Sequence, residues 1–200
     1  MSTHPTWDDS YIGDNPAPWD IGRPQPAFAK LAEEGLLTGR VLDAGCGTGE
    51  HVLLAAMHGA AEATGVDISP KAIEQARAKA ADRGFNANFE VGDALNLDLP
   101  ANSMTTIIDS GLFHVWTDEE RPRYAASIGS VLAPGGHVYL MCFSDRQPGD
   151  WGPRRVHQEE LRAIFADGWA VESITADTFD VNRIADTTTV EAWLAIIRRT

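Results

Sequence analysis

Short apolar runs alternate with longer amphipathic segments along this chain, and turn residues separate them. A short apolar run between turn residues predicts a buried strand, whereas apolar positions three or four residues apart predict a helix. The pattern as a whole predicts an α/β protein. The predicted strands are 41–42 with Asp43 at the tip, 61–66 with Asp67 at the tip, 88–91, 104–108, 137–143, 169–175 and 188–197. The predicted helices are 26–37, 51–57, 71–83, 118–132 and 157–165.

The segment Arg40 to Glu50, R-V-L-D-A-G-C-G-T-G-E, predicts a strand, a tight glycine loop and the start of a helix. Such a loop lets a ligand lie against bare backbone, with amides and a helix start expected to face it. The third glycine comes too early for a dinucleotide fingerprint, and the Gly-Lys-Ser/Thr of a P-loop is absent. A carboxylate at the expected rim, Glu50, would also repel a pyrophosphate. The loop therefore favours a nucleoside without phosphates.

Asp67 ends the second predicted strand. A carboxylate at this tip is where a ribose diol donates two hydrogen bonds. The sequence thus predicts a ribose site next to the glycine loop.

Three segments, V-L-D-A-G-C-G-T-G-E, G-V-D-I-S and F-E-V-G-D-A, resemble the first three motifs of class I S-adenosylmethionine-dependent methyltransferases. The resemblance implies a Rossmann-like, seven-stranded, mostly parallel sheet with helices on both faces and an antiparallel pair of strands at the carboxyl end. It implies S-adenosylmethionine as cofactor. In the family, the position of Asp93 faces the adenine amino group, although an aspartate here can also cap the following turn. The implied cofactor contacts are Asp43, Gly45, Cys46, Gly47, Asp67, Ile68, Asp93, Ala94 and Asp109.

Residues 1–28 form a predicted aromatic cap. The segment P-W-D-I-G-R-P-Q-P from Pro18 to Pro26 resembles the amino-terminal cap of thiol and halide methyltransferases and their thiopurine-methylating relatives. The resemblance implies that Trp7, Tyr11, Trp19 and Arg23 contact the cofactor, with Tyr11 replacing a family tryptophan. The alternative is that the aromatic residues only anchor a tail to the core.

The segment S-G-L-F-H-V-W from Ser110 to Trp116 lies where ligands of open α/β folds bind. His114 is the predicted catalytic residue, as general base or substrate orienter, with a backbone-satisfied structural histidine as the alternative. Phe113, Trp116 and Trp151 are predicted to stack on a flat substrate, or else to pack in the core. Residues 144–156 are a candidate substrate lid. In that loop, Arg154 and Arg155 would orient an anionic substrate or form a solvated turn.

The chain of 200 residues fits one domain, with 44% hydrophobic and 22% charged residues. Its formal charge of −13 disfavours nucleic acid, because affinity for nucleic acid depends on neutralising phosphates. No apolar run is long enough for a membrane helix, so no membrane partner is expected. Two cysteines give no disulfide framework, which indicates the cytoplasm. Oligomeric state is not predicted.

No metal is expected, since the histidines form no known ligand motif and His51 and His58 are expected at the surface. The predicted function is methyl transfer from S-adenosylmethionine to a small aromatic or heterocyclic O, N or S nucleophile. One alternative is a thiol or halide methyltransferase, favoured by the P-W-D-I-G-R segment. The other is a non-catalytic protein that binds the cofactor as a sensor.

Overall fold

The computed structural model describes residues 7–12, 17–184 and 186–200, and these build around a seven-stranded sheet. In chain order the strands are β1 (Arg40–Ala44), β2 (Glu62–Asp67), β3 (Asn88–Val91), β4 (Met104–Ser110), β5 (Leu132–Phe143), β6 (Trp169–Ile184) and β7 (Thr187–Arg199). The helices are α1 (Pro26–Glu33), α2 (Glu50–Met57), α3 (Pro70–Arg83), α4 (Glu120–Val131) and α5 (Gln158–Ile164). Short 3-10 helices cover Trp7–Tyr11, Ala94–Asn96 and Phe113–Val115.

The strands lie in the order β3-β2-β1-β4-β5-β7-β6. The first five strands are parallel to one another, and β7 runs antiparallel between β5 and β6. This arrangement confirms the predicted fold. The strand order reverses at β1, and ligands of such sheets bind at the carboxyl ends of the strands beside this reversal. The carboxyl ends of β1 and β4 therefore mark the expected site.

Alternation along the central strands divides the core into two layers. Val41 and Ile108 point to the layer that holds α1, α2 and α3, whereas Leu42 and Ile107 point to the layer that holds α4 and α5. Because parallel strands are covered on both faces, nearly all residues of β1 and β4 are buried. The chemistry is therefore confined to the ends of the strands.

The ends of α3 follow the sequence closely. The hydroxyl of Ser69 accepts a hydrogen bond from the amide of Ala72 at 3.1 Å, Pro70 begins the helix, and Gly84 ends it with φ of 71°. Elsewhere the predicted ends are wrong by several residues. The first helix stops at Glu33, α4 starts at Glu120, and β5 starts at Leu132.

The largest difference from the predicted ends is in β6, which continues to Ile184 instead of ending at residue 175. β7 then begins at Thr187. Beyond the pairing of Phe143 with Ala192, β7 no longer pairs with β5, so the end of the hairpin is paired only with itself. Among the described residues of this part of the hairpin only Phe179 and Val190 are buried, so the hydrophobic period that predicts a strand is weak. This is why the sequence did not predict the extension.

No helix among the described residues is long and apolar enough to cross a membrane. Residues 1–6 and 13–16 of the predicted cap lie outside the described part of the chain.

Candidate active site

The glycine loop turns at the carboxyl end of β1, and its amides point inward. The N–H groups of Gly45 and Cys46 donate to the carbonyl of Val66 at 2.8 and 3.1 Å. The N–H of Gly47 donates to Oδ2 of Asp67 at 2.8 Å. The expectation that these amides face the ligand is therefore wrong. A ligand on this loop meets Cα atoms rather than an anion-binding nest, which suits a phosphate-free nucleoside.

Glu50 also does not lie at the rim of the loop, where the sequence predicted it. Its carboxylate is buried and turned to α3, where it pairs with Lys79 at 2.7 Å and with Arg83 at 2.9 Å. Burial raises its pKa, but the hydrogen bonds from these two cations outweigh burial and leave the pKa below its usual value. Glu50 therefore fastens α2 to α3 and does not face the ligand.

Asp43 is a buried carboxylate at the tip of β1, with 1% of its surface exposed. Neither of its oxygens has a hydrogen-bond partner among the described residues. Burial, followed by the charges of Asp109 and Asp67, raises its pKa well above the usual value. An unpartnered carboxyl group here fits a cationic ligand group, as the ammonium and sulfonium of S-adenosylmethionine would provide.

Asp67 stands beside this group at the tip of β2. Its Oδ1 accepts from the amide of Ser69 at 2.9 Å, in addition to the bond between Oδ2 and Gly47. Each carboxylate oxygen has a second lone pair, so both can still accept from a ribose diol. Next to it, Ile68 is 54% exposed and Val91 is 52% exposed. Because Asp67 pairs with Val91 across the strands, these apolar side chains are set beside the expected nucleoside.

Asp93 follows β3 and caps the next turn. Its Oδ1 accepts from the amide of Leu95 at 2.9 Å, at the start of the 3-10 helix Ala94–Asn96. Ala94 is buried below it. The capping alternative is thus realised, while a contact to adenine stays a prediction.

Three aromatic residues of the amino-terminal segment cover the glycine loop. The hydroxyl of Tyr11 lies 3.1 Å from where a Cβ on Gly47 would stand. The indole N–H of Trp19 donates to this hydroxyl at 3.2 Å, and the rings of Trp7 and Trp19 meet edge to face at 5.9 Å. The hydroxyl of Thr48 donates to Asp20 at 3.1 Å. The cap therefore closes the loop from above.

The cap is held from two sides. On one side, the carboxylate of Asp8 accepts from the hydroxyl of Ser69 and from the amide of Lys71 at the start of α3. On the other side, the amide group of Asn182 in β6 donates to the carbonyls of Ala17 and Asp20 at 2.8 and 2.7 Å. The polar end of the β6–β7 hairpin thus supports the cap.

Three further residues predicted to contact the cofactor make contacts within the scaffold, and their contact with the cofactor stays a prediction. Arg23 forms an ion pair with Asp180 of β6 at 2.6 Å, and this contact fastens the cap. The side chain of Cys46 is buried against Gly65, where an added Cβ would approach Sγ to 2.7 Å. The third residue, Asp109, is fully buried.

Asp109 is occupied by three donors. Its Oδ1 accepts from the amides of Leu112 and Phe113 at 2.8 and 3.2 Å, and its Oδ2 accepts from the hydroxyl of Tyr124 at 2.8 Å. Burial raises its pKa to about 6 even though these bonds favour the charged form. Asp109 therefore shapes the turn that carries His114.

The 3-10 helix Phe113–Val115 sends neighbouring side chains to opposite layers. Phe113 is fully buried against Tyr124 and Phe165, so its predicted stacking on a substrate is wrong. Trp116 is half-buried on the same side, with its ring 5.9 Å from that of Tyr124. His114 points the other way, 4.9 Å from the ring of Phe143.

The hydrogen bonds of His114 determine its tautomer. Its Nδ1 accepts from the amide of Phe143 at 3.0 Å, so the neutral ring carries its proton on Nε2. Burial, then the charges of Arg121 and Arg155, lower its pKa to about 3. Nε2 lies on the side of Gly111, where an added Cβ would stand 3.6 Å away. In this geometry neither nitrogen offers a free lone pair to a substrate proton, which favours the predicted role of an orienting donor over that of a general base.

Sequence reasoning missed His51, which it expected at the surface. His51 is buried, its Nε2 accepts from the amide of Gln25 at 3.1 Å, and its Nδ1 lies 3.9 Å from Oδ2 of Asp43. Burial lowers its pKa to about 4. Because α2 is apolar on most sides, its periodicity did not show which way His51 points. His51 lies between the cap and the unpartnered carboxyl group of Asp43.

Comparison with known proteins agrees with this geometry. The sequence profile of the methyltransferase domain family matches residues 41–136. A 2-heptyl-1-hydroxyquinolin-4(1H)-one methyltransferase of Mycobacteroides abscessus is 39% identical over 84% of this chain and 78% of its own length. A probable thiol methyltransferase of Arabidopsis thaliana is 30% identical over 80% and 70% of the two chains.

A solved structure from work on the conversion of a disulfide bond into a thioacetal group during echinomycin biosynthesis superposes with a TM-score of 0.85. It is 39% identical and covers 96% of this chain and 89% of its own. The chain belongs to the S-adenosylmethionine-dependent methyltransferases. It is an enzyme that methylates small molecules with S-adenosylmethionine as cofactor.

Proposed function

We propose that the methyl acceptor is a hydroxylated aromatic heterocycle. The observation that carries this proposal is the polar N–H of His114, which lies among aromatic rings. Phe143 lies 4.9 Å from the imidazole and Phe179 lies 6.1 Å from it. Flat apolar walls with one polar group select a flat ligand with one polar atom. The hydroxyquinolinone named in the Mycobacteroides abscessus relative has this character.

On the cofactor side, each group has a role that its contacts allow. Asp43 faces the ammonium and sulfonium, Asp67 holds the ribose, and the glycine loop lets the ligand lie against backbone. Ile68 supports the adenine, with Asp93 and Ala94 at its edge. The aromatic residues Trp7, Tyr11 and Trp19 cover the cofactor and exclude water.

When bound, S-adenosylmethionine supplies an electrophilic methyl carbon. The residues of this chain then need only hold the acceptor atom in line with that carbon and keep water out. His114 does the first by donating from Nε2 to the acceptor. The lid 144–156 does the second with Trp151, whose half-buried side chain packs against the layer that contains Phe143 and Phe179.

The thiol and halide alternative rests on one feature. Residues 18–23 carry the P-W-D-I-G-R segment, and the probable thiol methyltransferase of Arabidopsis thaliana is a relative. A small inorganic nucleophile makes no use of a stacking lid, so the aromatic wall favours the heterocycle.

The test is methyl transfer from labelled S-adenosylmethionine to a panel of hydroxyquinolines, hydroxyquinolinones, phenols, thiopurines, aromatic thiols, hydrosulfide and iodide. Methylated heterocycles without volatile products are expected. A Trp151→Ala variant should raise the KM for a heterocycle about tenfold, as expected for the loss of stacking on one ring. Arg154→Gln, at an exposed neighbouring lid position, is the matched control. Volatile methyl iodide or methanethiol as the only products would refute the heterocycle proposal.

We also propose a reducing, cytoplasmic setting without a nucleic-acid partner. Both cysteines, Cys46 and Cys142, are free and buried. The charge of −13 opposes phosphate backbones. Growth of a tagged strain followed by cell fractionation tests the location.

A further inference from the structure

Arg155 is held inside the lid by backbone carbonyls. Its Nε donates to the carbonyl of Gln147 at 3.1 Å, and Nη1 donates to that of Pro153 at 2.6 Å. Its Nη2 donates to the carbonyls of Gly149 and Trp151 at 3.1 and 2.9 Å. All three nitrogens thus bind neutral oxygens of one loop, which curls around the guanidinium group.

The charge of Arg155 is not balanced by a carboxylate. No ion pair within the described ranges includes it. Glu160 pairs with Arg121 and Arg154, and Asp118 pairs with Arg154. Asp145 lies 3.2 Å from Nδ1 of His157, a contact that is an ion pair only when the imidazole is protonated, and Glu191 pairs with Arg146. Asp150, in the same loop, is exposed to solvent.

This unbalanced charge lies behind the aromatic wall. The guanidinium carbon is 5.4 Å from the ring centre of Phe143 and 5.7 Å from that of Trp151. Phe143 in turn contacts His114. A positive charge in a partly buried wall is only weakly screened by solvent, so its field would act on a ligand bound beside His114.

Among the described residues around His114 and on the cofactor side, the titratable groups are not free to act as a base. Nδ1 of His114 is occupied by a backbone amide, and Asp109 already accepts from three donors. Asp43 and Asp67 lie on the cofactor side. Burial and the Asp67 charge raise the pKa of the Tyr11 hydroxyl far above neutrality, so it cannot accept a proton. None of these described groups could take the proton of a hydroxyl acceptor that arrived protonated.

We propose that this enzyme selects the anionic form of its acceptor, an oxyanion or thiolate stabilised by the charge of Arg155 and oriented by the N–H of His114. The inference rests on the proposed function and states the ionic form of its substrate. A lone pair of the anion forms the bond to the methyl carbon. The carbon–sulfur bond of the sulfonium breaks, and its electron pair stays on sulfur as the neutral thioether. No proton moves in the step, so it needs no base.

The experiment uses hydroxyquinolinones of matched shape whose hydroxyl pKa values differ. In the unaltered enzyme, the acidic limb of kcat/KM should follow the pKa of each free acceptor, because kcat/KM reports free species. The acidic limb of the kcat profile should lie at lower pH than that of kcat/KM, because the charge of Arg155 favours the anionic form of the bound acceptor. Iodide, which cannot be protonated in this range, should show no such limb if it is a substrate.

Variants then separate charge from loop shape. Arg155→Gln keeps hydrogen-bond donors without the charge. It should shift the acidic limb of the pH profile of kcat to higher pH by about one unit, so that kcat at pH values below the limb falls about tenfold. Arg155→Lys keeps the charge and should preserve the limb. Arg154→Gln, which removes a charge that Asp118 and Glu160 already balance, should also preserve it.

Several results would overturn the inference. An acidic limb at one fixed pH for all acceptors would show an enzyme base, and this comparison needs no variant. If the acidic limb of kcat lies at the same pH in Arg155→Gln and in the unaltered enzyme, Arg155 does not select the anionic acceptor. If only hydrosulfide and iodide are methylated, the heterocycle proposal fails, and the inference is then judged on whether the hydrosulfide rate follows its ionisation. Heterocycle methylation with a fixed limb would leave the proposed function standing and the inference refuted.

Discussion

Replacing Asp43 by Asn should increase the stability of the ligand-free protein and lower its affinity for the cofactor. The carboxyl group is buried without a hydrogen-bond partner, and its pKa is raised well above the usual value by burial and by Asp109 and Asp67. A group with a raised pKa in the folded state stabilises below its unfolded pKa, and this stability is lost as pH rises through the folded pKa. Each unit of the rise costs about 1.4 kcal/mol at high pH. An amide of the same shape avoids that cost.

The magnitude on the ligand side follows from one charge-assisted contact. Such a contact contributes about 1.5–3 kcal/mol, so the variant should bind S-adenosylhomocysteine about 10–150 times more weakly. On the stability side, each kcal/mol recovered should raise Tm by about 2–4 °C for a chain of this length, with a larger gain at pH 8 than at pH 5.

The assay is thermal unfolding of both proteins at pH 5 and pH 8, with calorimetric titration of S-adenosylhomocysteine at each pH. Asp109→Asn is the matched control, because its amide would turn an N–H group toward one of the three donors around it. That control should lose about 1–3 kcal/mol of stability. An Asp43→Asn protein that melts below the wild type at pH 8, or binds the ligand equally well, would refute the reasoning.

Three further predictions concern the scaffold. Gly65→Ala places a Cβ 2.7 Å from Sγ of Cys46 and should lower the unfolding free energy by about 1–3 kcal/mol in denaturant titrations. Asn182→Ala removes two hydrogen bonds to the cap and should raise the Kd for S-adenosylhomocysteine about tenfold with kcat at saturation unchanged; an equal fall in kcat would contradict this. The buried His51 has a pKa near 4, below its unfolded value, so it costs stability as pH falls below about 6.5. The stability of wild type relative to His51→Asn should therefore drop by about 2 kcal/mol between pH 7 and pH 5.

Local sequence signals were enough for the parts of the site that depend on turns. The glycine loop, the tip positions of Asp43 and Asp67 and the capped start of α3 follow from the rules that place glycine, proline and serine at the ends of elements. The parallel strands follow because each is a short apolar run buried on both faces. These features need no knowledge of distant contacts.

The remaining features depend on contacts that the local sequence does not show. A three-residue 3-10 helix has too few positions to reveal which side chain points to which layer, so Phe113 and His114 could not be told apart. The contacts of Arg155 depend on the path of the lid. Those of Asp109 depend on Tyr124, which lies on another element. The support of the cap by β6 required the position of Asn182, which lies 165 residues from Ala17.

That long separation sets an order of events during synthesis. A chain emerging from the ribosome has its glycine loop complete long before the hairpin that supports the cap has been made. A nascent chain therefore cannot form the covered cofactor site, however well its first strands have paired. Contacts this distant in sequence form late and slowly. Cofactor binding to the covered site consequently reports that the hairpin has formed, and S-adenosylmethionine present during folding stabilises the fold that includes the hairpin rather than earlier fragments.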